Sequence, residues 1–344
     1  MSAWNAGPYL EPAIESILSQ SWRDFEFIIV DDASTDGSRE VIARWAARDA
    51  RVIDLPNTTN VGASLSANRG IAAARAPWIA RMDADDISKP DRLARQMAVV
   101  ERQGDIGFIT TLLETIDGKG QVTLPACKGI CFEQELLPWY LLFYNRVGGH
   151  GQVMFRRDTF LKIGGYKEND RHAQDRELWP RLLREGSCVV IPEVLFQWRA
   201  ANPSSVTNSL KFRYAGPSIE AGIAEVERMC GVSISHDEGV ALRDFWLRFH
   251  GGAQDWDAVQ KRLLELADKF TPVRPIADLR VRLRRSIACG WLSNALRAAG
   301  RRDVKLVRAH MRRAREAAGW SLPAAMAQLT HELARVGGKA ARRL

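Results

Sequence analysis

Apolar residues in the first part of the chain follow two alternating periods. Leu10, Ile14 and Ile17 recur at the spacing of one helix face. Residues 25–30 then form a nearly unbroken apolar run, which is typical of a strand covered on both faces. A second such run, residues 78–82, follows an alanine-rich helical segment. This alternation of strands and helices predicts a parallel, wound sheet.

From about residue 210 onward the pattern is helical only. We therefore expect two domains, residues 1–208 and residues 209–344. The hydrophobic fraction of 46% over 344 residues is sufficient for a large α/β core and a smaller helical region. It excludes a chain that is disordered throughout.

The net charge of +8 is distributed unevenly along the chain. Residues 271–344 contain 17 Lys and Arg against 4 Asp and Glu, whereas residues 1–270 contain 32 against 37. A basic nucleic-acid-binding protein is one interpretation. However, the positive charge is confined to the C-terminal segment and no nucleic-acid-binding module is recognisable there, so we expect no nucleic acid as a partner.

The five cysteines favour reduced thiols in a cytosolic protein. Their number is odd, and only Cys127 and Cys131 are close together, without the second cysteine pair or histidines of a zinc site. No run approaches the roughly 18 apolar residues that span a bilayer, and the N-terminus lacks the pattern of a signal peptide. We expect a soluble or peripheral, cytoplasmic protein.

An acidic cluster, Asp83, Asp85 and Asp86, directly follows the predicted strand at residues 78–82. Carboxylates this close together repel one another unless a cation neutralises them, and hard divalent ions satisfy that need. A metal bridging two carboxylates and a pyrophosphate would stabilise a leaving nucleoside diphosphate. The alternative is a solvated acidic turn that caps the helix beginning near Asp91.

A second acidic pair, Asp31 and Asp32, follows the strand at residues 25–30. Ligands gather at the carboxyl ends of strands in wound sheets, so both acidic clusters should share one crevice. A carboxylate there can accept hydrogen bonds from a nucleobase or ribose, while residues 34–37 equally suit a turn that caps the next helix. Three later residues can line the same pocket: Asn60, Gly62 and Asn68. A backbone turn explains Gly62 equally well.

A further isolated carboxylate, Asp175, precedes an amphipathic helix that contains Leu178, Leu182 and Leu183. One interpretation is a helix N-cap. The other is a general base that accepts the proton of an acceptor hydroxyl during displacement at an anomeric carbon.

The order of these motifs resembles glycosyltransferase family 2 over roughly residues 1–205. The motifs that carry the resemblance are Trp4-Asn5-Ala6-x-x-Tyr9-Leu10, Phe25-Glu26-x-Ile28-x-Val30-Asp31-Asp32-x-Ser34-Thr35-Asp36-Gly37, Asn60-x-Gly62-x-Ser64-x-x-x-Asn68, Met82-Asp83-Ala84-Asp85-Asp86, Gly164-Gly165-Tyr166 and Gln174-Asp175-x-Glu177-Leu178-Trp179. The resemblance implies a GT-A fold, that is, an α/β fold with a Rossmann-like, wound mixed sheet, followed here by an all-helical region. It also implies a UDP- or dTDP-sugar donor, Mg²⁺ or Mn²⁺, and inversion at the anomeric carbon.

The resemblance also implies roles for individual residues. Asp175 would be the catalytic base, and Asp85 with Asp83 would bind the metal. The residues implied to bind the nucleotide sugar are Ser2, Trp4, Asp31, Asp32, Asn60, Gly62, Asn68 and Asp83.

The chain departs from the family in three places. Gln174 stands where members usually carry Glu. Gln197-Trp198-Arg199 differs from the Gln-x-x-Arg-Trp of processive synthases, which favours transfer of a single sugar. The buried strand that usually leads into a turn like residues 2–5 is missing, so we expect either a start assigned too late or a truncated chain. Its absence would leave backbone groups at a strand edge unpaired and would lower the free energy of unfolding by roughly several kcal/mol.

The pattern also allows other enzymes of nucleotides or nucleotide sugars, such as a nucleotidyltransferase or an epimerase. Neither explains both acidic strand ends together with Asp175, and no Gly-x-Gly-x-x-Gly or Walker motif is present. The expected acceptor is a glycan or a lipid-linked glycan in cell-surface polysaccharide or glycolipid assembly. The basic residues 271–344 are either a solvated helical appendage or a peripheral contact with the anionic inner face of the membrane.

Overall fold

The computed structural model describes residues 1–102, 104–125, 133–167, 174–200, 216–247 and 255–321, together with residues 323, 324, 327 and 330. The chain divides into two compact units. Unit 1 comprises Met1–Ala126 and Val147–Pro217, and unit 2 comprises Cys127–Arg146 and Ser218–Leu344. The two units differ from the expected domains, which met at residues 208 and 209, because residues 127–146 belong to unit 2.

Every strand in the described part of the chain lies in unit 1. In chain order they are β1 (Ser2–Ala3), β2 (Phe27–Asp31), β3 (Val52–Asp54), β4 (Trp78–Ala80), β5 (Ile87–Ser88), β6 (Ile106–Ile116), β7 (Val122–Leu124), β8 (Met154–Arg156) and β9 (Ser187–Arg199).

The α-helices are shared between the two units, and α5 and α8 to α12 form unit 2. In chain order they are α1 (Leu10–Leu18), α2 (Ser38–Arg48), α3 (Ala63–Ala73), α4 (Arg92–Arg102), α5 (Leu137–Tyr140), α6 (Arg157–Lys162), α7 (Gln174–Glu185), α8 (Gly216–Cys230), α9 (His236–Leu247), α10 (Trp256–Lys269), α11 (Leu279–Gly300) and α12 (Val304–Ala318).

The strands of unit 1 form a mixed sheet in two parts. β1, β2 and β3 are parallel neighbours. The other part has the order β4-β8-β6-β9-β5, in which β6 and β9 are parallel and β8 runs antiparallel to β4 and β6. A parallel bridge between Ser2 and Asp83 links the two parts. All five residues of β2 are buried, as its continuous apolar pattern predicts.

The first strand consists of two residues rather than being absent. Within β1, Ser2 pairs with Val30 and Ala3 with Asp31. The Met1 amino group donates to the Ile28 carbonyl at 2.8 Å, and the Val30 amide donates to the Met1 carbonyl at 2.9 Å. On the edge of β2 that pairs with β1, only the last residues of β2, next to the acidic pair, therefore have a neighbouring strand.

A cavity of about 700 Å³ lies next to Met1, between the edges of β2 and β4. Its lining includes Phe27 and Ile28 of β2 and Trp78, Ile79 and Ala80 of β4. This is the place where the sequence predicts a missing strand.

Unit 2 has its own hydrophobic core, which explains why residues 133–146 belong to it. Trp139 and Tyr140 of α5 are buried in one cluster with Leu263 of α10 and Trp291 of α11. The Ser286 hydroxyl also donates a hydrogen bond to the Tyr140 hydroxyl at 3.0 Å. These are contacts distant in the sequence, so the local pattern does not reveal them.

Among the described helices, none combines the length and the apolar character needed to cross a bilayer. Cys188, Cys230 and Cys289 are buried free thiols. Burial raises the pKa of Cys230 to about 12, so this thiol is protonated at neutral pH. Cys127 and Cys131 lie outside the described residues.

Candidate active site

The acidic loop after β4 contains one buried and two half-buried carboxylates. Asp86 is only 2% exposed, and its Oδ1 atom accepts a hydrogen bond from the Arg199 amide at 2.8 Å. Asp83 and Asp85 are half-buried. Burial, reinforced by the negative charges of Asp83 and Asp85, raises the pKa of Asp86 well above its usual value. Asp86 therefore holds a proton more readily than an exposed aspartate does.

Three buried arginines support the acidic loop. An Nη atom of Arg81 lies 3.6 Å from a carboxylate oxygen of Asp83. Arg199 donates to the Asp85 carbonyl at 2.7 Å, and Arg92 donates to the Arg81 carbonyl at 2.9 Å. These contacts fix the backbone of the loop and offset part of its charge.

The donor atoms of the loop fit a hard divalent cation. Asp83 and Asp85 carry carboxylate oxygens, which Mg²⁺ and Mn²⁺ prefer, so these two residues would hold such an ion. Within the described ranges, no group of three or more His, Cys, Asp or Glu side chains is arranged to hold a metal ion. A metal there would accordingly take its remaining ligands from water and a bound diphosphate, which is the usual coordination of Mg²⁺ in nucleotide enzymes.

The Asp32 carboxylate organises the loop that precedes α3. It is 2% exposed and accepts hydrogen bonds from Asn57 Nδ2 at 2.7 Å, from the Val61 amide at 2.9 Å and from the Gly62 amide at 2.8 Å. Asn60 Nδ2 donates to the Asp32 carbonyl at 3.3 Å. Asp32, Asn60 and Gly62 thus lie together, and their contact with a nucleobase stays a prediction.

Gly62 has a backbone conformation that restricts this loop to glycine. Its φ of 90° lies in a region that L-residues with a side chain rarely adopt. No atom lies within 4 Å of the position that a Cβ would take. Glycine is therefore favoured here because any other residue would strain the backbone at this φ. Space for a side chain is available.

The turn after β1 is held to the turn after β2 by side chains. The Asn5 amide donates to Ser34 Oγ at 3.0 Å, and the Thr35 amide donates to Asn5 Oδ1 at 2.8 Å. Gly7 donates to Asp36 Oδ2 at 2.8 Å. The N-cap of α2 is Gly37, which has no side-chain cap. Ser34 and Asp36 therefore join the two turns, and Asp36 Oδ1 also accepts a hydrogen bond from the amide of Ser38, the first residue of α2, at 3.0 Å.

Three other predicted donor-binding residues differ in their surroundings. Ser2 lies between β2 and the acidic loop, paired with Val30 and Asp83. Trp4 is 55% exposed, which is unusual for an indole and leaves it accessible to a ligand. Asp31 is buried, and its Oδ1 atom accepts a hydrogen bond from the Ser34 amide at 3.3 Å.

Asp175 is half-buried in the first turn of α7. Its Oδ1 atom accepts a hydrogen bond from the Arg176 amide at 2.7 Å. The positive end of the helix dipole stabilises a carboxylate in this position. Leu178, Leu182 and Leu183 are buried, so the predicted amphipathic helix is confirmed. Residues 168–173, which directly precede α7, are outside the described part of the chain.

A pair of rings, the half-buried His150 and the buried Tyr166, belongs to the same site and was not predicted from the sequence. The Nδ1 atom of His150 lies 2.9 Å from the Tyr166 hydroxyl. The guanidinium of Arg81 lies 5.8 Å from the centre of the Tyr166 ring. Burial lowers the pKa of His150, although the charge of Asp175 opposes this shift. Burial also raises the pKa of Tyr166 to about 12.

This pair connects the acidic loop with α7. Both Asp83 and Asp175 act electrostatically on His150 and on Tyr166. His150 also lies against Trp179 of α7, with 5.6 Å between ring centres. The metal-binding candidate and the base candidate therefore border one buried network. No sequence spacing indicates it, because Arg81, His150 and Tyr166 come from separate segments.

Comparison with known proteins agrees with this geometry. The profile of Glycosyl transferase family 2 matches residues 1–163. An uncharacterized glycosyltransferase of Methanocaldococcus jannaschii is 30% identical over 205 residues, which are 59% of this chain and 70% of that protein. TuaG of Bacillus subtilis, named for teichuronic acid biosynthesis, is 31% identical over 211 residues, or 61% of this chain and 81% of that protein.

Solved structures show the same fold at low sequence identity. Staphylococcus aureus TarS 1–349 in complex with UDP-GlcNAc is 13% identical with a TM-score of 0.55, covering 92% of this chain and 90% of TarS 1–349. The mannosyltransferase PcManGT from Pyrobaculum calidifontis, in complex with GDP-Man and Mn²⁺, is 16% identical with a TM-score of 0.52, covering 93% and 85%. Together with the family profile and the two relatives, this establishes that the chain is a glycosyltransferase of family 2 with a GT-A fold.

Proposed function

We propose that this protein transfers a single sugar from a UDP- or dTDP-sugar to an acceptor hydroxyl, with inversion at the anomeric carbon. The observation that carries the proposal is a chain of contacts from the acidic loop to α7. Arg81 lies 3.6 Å from Asp83 and 5.8 Å from the centre of the Tyr166 ring, the Tyr166 hydroxyl lies 2.9 Å from His150, and His150 lies against Trp179 of α7, the helix whose first turn contains Asp175. A group that neutralises a leaving diphosphate and a group that accepts a proton thus border the same region. An inverting displacement needs both.

In this proposal the donor binds through its diphosphate and nucleoside to the turns that follow β1, β2 and β4. Asp83 and Asp85 would hold Mg²⁺ or Mn²⁺, which supplies charge neutralisation to the leaving diphosphate when bound. Ser2, Trp4, Asp31 and the loop organised by Asp32 would surround the nucleoside. The UDP-GlcNAc complex of TarS and the GDP-Man and Mn²⁺ complex of PcManGT support a nucleotide-sugar donor and a divalent metal.

Asp175 is proposed as the general base of a single displacement. The acceptor oxygen attacks the anomeric carbon from the face opposite the diphosphate, its proton passes to Asp175, and the nucleoside diphosphate leaves with the bonding electrons. Desolvation lowers the pKa of the half-buried His150, so we infer that its ring stays neutral in this site. A neutral ring there avoids a cation that would lower the basicity of Asp175.

We infer that the acceptor is a glycan, free or lipid-linked, used in cell-surface polysaccharide or glycolipid assembly on the cytoplasmic side of the membrane. The name of TuaG refers to the synthesis of such a polymer. A second relative supports the same class: ExoO of Rhizobium meliloti, a succinoglycan biosynthesis protein, is 32% identical over 182 residues, 48% of this chain and 51% of ExoO.

A donor screen tests the proposed function. The purified protein is incubated with UDP-, dTDP- and GDP-sugars in Mg²⁺, Mn²⁺ or chelator, and nucleoside diphosphate release is measured. Proton NMR of the released or transferred sugar then gives its anomeric configuration. We expect turnover of a UDP- or dTDP-sugar only with metal, and an inverted product. A retained configuration, or turnover unaffected by chelator, would contradict the mechanism.

A further inference from the structure

Helix α12 of unit 2 has one buried face and one basic face. His310, Arg313, Ala314 and Ala317 are its buried residues. On the opposite side, Lys305, Arg308, Arg312 and Arg315 are exposed. Their spacing of i, i+3, i+7 and i+10 places all four on one side of a helix.

The turn between α11 and α12 adds two further basic residues next to the start of α12. Arg301 and Arg302 are exposed there, directly before the N-cap residue Asp303. We refer to these six residues as the basic face: Arg301, Arg302, Lys305, Arg308, Arg312 and Arg315.

Acidic side chains offset little of the charge on the basic face. Asp303 accepts a hydrogen bond from the Leu306 amide at 2.9 Å and so serves as a helix cap. Glu316 lies 3.7 Å from Arg312. The other five cations of the basic face make no ion pair with any residue that the structure describes.

Other arginines of unit 2 are neutralised within the unit, in contrast to the basic face. The ion pairs are Arg282 with Glu133 and Glu135, Arg284 with Asp268, and Arg313 with Asp257. Arg280 donates to the Phe270 carbonyl at 2.9 Å. Among the described residues of this segment, Arg282, Arg284 and Arg313 are thus paired, whereas the exposed cations in and directly before α12 add positive charge to one surface.

We propose that the basic face docks on the surface of an anionic lipid bilayer. A single side of a rigid helix can contact several lipid phosphates at once, and each basic residue near such a surface strengthens binding about fivefold. Val304, which is 60% exposed at the start of α12, adds an apolar side chain that can enter the interface. The basic face contains no aromatic ring on which a nucleobase could stack, which favours lipid over single-stranded nucleic acid.

This docking is independent of the transferase chemistry, because none of the six residues belongs to the candidate active site. Only its consequence rests on the proposed function: a surface-bound enzyme meets a lipid-linked acceptor at a higher effective concentration.

Vesicle co-sedimentation of the full chain tests the proposal with two variants of equal charge. One replaces Arg301, Lys305, Arg308 and Arg315 by Gln. The matched control variant replaces four exposed basic residues elsewhere by Gln: Arg48, Arg102, Lys119 and Lys261. The vesicles contain phosphatidylcholine with increasing phosphatidylglycerol, at low and at physiological salt.

We expect wild-type binding to increase with phosphatidylglycerol and to weaken with salt. The basic-face variant should bind more than about a hundredfold more weakly, whereas the control should bind within about fivefold of wild type. Melting temperatures of both variants should match wild type, since the replaced side chains are exposed. Equal loss in both variants, equal binding to neutral vesicles, or tighter binding to RNA at the same phosphate concentration would overturn the proposal.

Discussion

The side chain of Asn68 holds the backbone of Tyr166 through two hydrogen bonds. Asn68 Nδ2 donates to the Tyr166 carbonyl at 2.8 Å, and the Tyr166 amide donates to Asn68 Oδ1 at 2.9 Å. Gly165 has a φ of 62°, and a Cβ there would lie 2.7 Å from Asn68 Oδ1. Helix α3, which follows the loop bound by Asp32, is thereby fixed to the segment that carries the buried Tyr166 ring. The role predicted for Asn68 in donor binding stays untested, and its amide has this structural role in addition.

The Asn68 amide can be tested by graded substitution. We expect Asn68→Ala to lower the free energy of unfolding by about 1–3 kcal/mol, because two backbone groups of Tyr166 lose their partners. Asn68→Asp keeps an acceptor for the Tyr166 amide but turns a carboxylate oxygen toward the Tyr166 carbonyl, so we expect its loss to be at least as large. Urea denaturation measures both. Equal stability of Asn68→Ala and wild type would show that the two hydrogen bonds to the Tyr166 backbone do not stabilise the fold.

The metal site is tested by Asp85→Ala. Loss of one of two carboxylate ligands leaves too few oxygens for a divalent ion, so we expect transfer and metal-dependent donor binding to be abolished. Asp91→Ala is the control, because Asp91 is an exposed carboxylate on the same stretch of chain. Calorimetric titration of donor with and without Mn²⁺ gives the measurement. If Asp85→Ala retains metal-dependent binding, Asp85 is not a ligand.

The role of Asp175 is tested by Asp175→Asn, which preserves shape and removes basicity. We expect kcat to fall by about 10² to 10⁴ while donor affinity stays nearly unchanged. Stopped-flow or coupled assays give kcat, and equilibrium titration gives donor affinity. A collapse of donor affinity with little effect on the chemical step would assign Asp175 to binding or to helix capping.

The half-buried His150 predicts a pH dependence of stability. Burial lowers its pKa in the folded protein, so the unfolded chain binds more protons as the pH falls below the usual histidine range. This contribution to stability is therefore complete above about pH 6.5 and is lost progressively toward lower pH. We expect His150→Gln to reduce the fall in unfolding free energy between pH 7 and pH 5. An unchanged slope would place the titrating group elsewhere.

The cavity between β2 and β4 predicts the effect of an added strand. An extension of about five Val and Ile residues before Met1 would run beside Ile28 and Trp78 and fill space that is now about 700 Å³. We expect the melting temperature to rise by several degrees, since apolar contacts and strand hydrogen bonds are both gained. A Gly and Ser extension of equal length is the control. Equal melting temperatures for the two would show that this space does not accept a strand.

Local patterns predicted much of unit 1, because its strands and helices have distinct hydrophobic periods. The apolar run at residues 25–30 became the buried strand β2, and both acidic clusters follow strands as expected. The expected absence of a first strand was only partly right, because Ser2 and Ala3 still pair with β2. Their pairing with Val30 and Asp31 joins segments that are far apart in the sequence, so only the folded sheet shows it.

The sequence by itself determined the family, the order of elements and the carboxylates available for chemistry, since these depend on residue type and local spacing. Tertiary structure alone decided which of those carboxylates are buried in arginine contacts, as Asp86 is beside Arg199. It also decided that His150 and Tyr166 meet, and which arginines of the C-terminal region are neutralised and which are displayed on the basic face. These outcomes depend on contacts between distant segments, and burial and electrostatic energy arise only from such contacts.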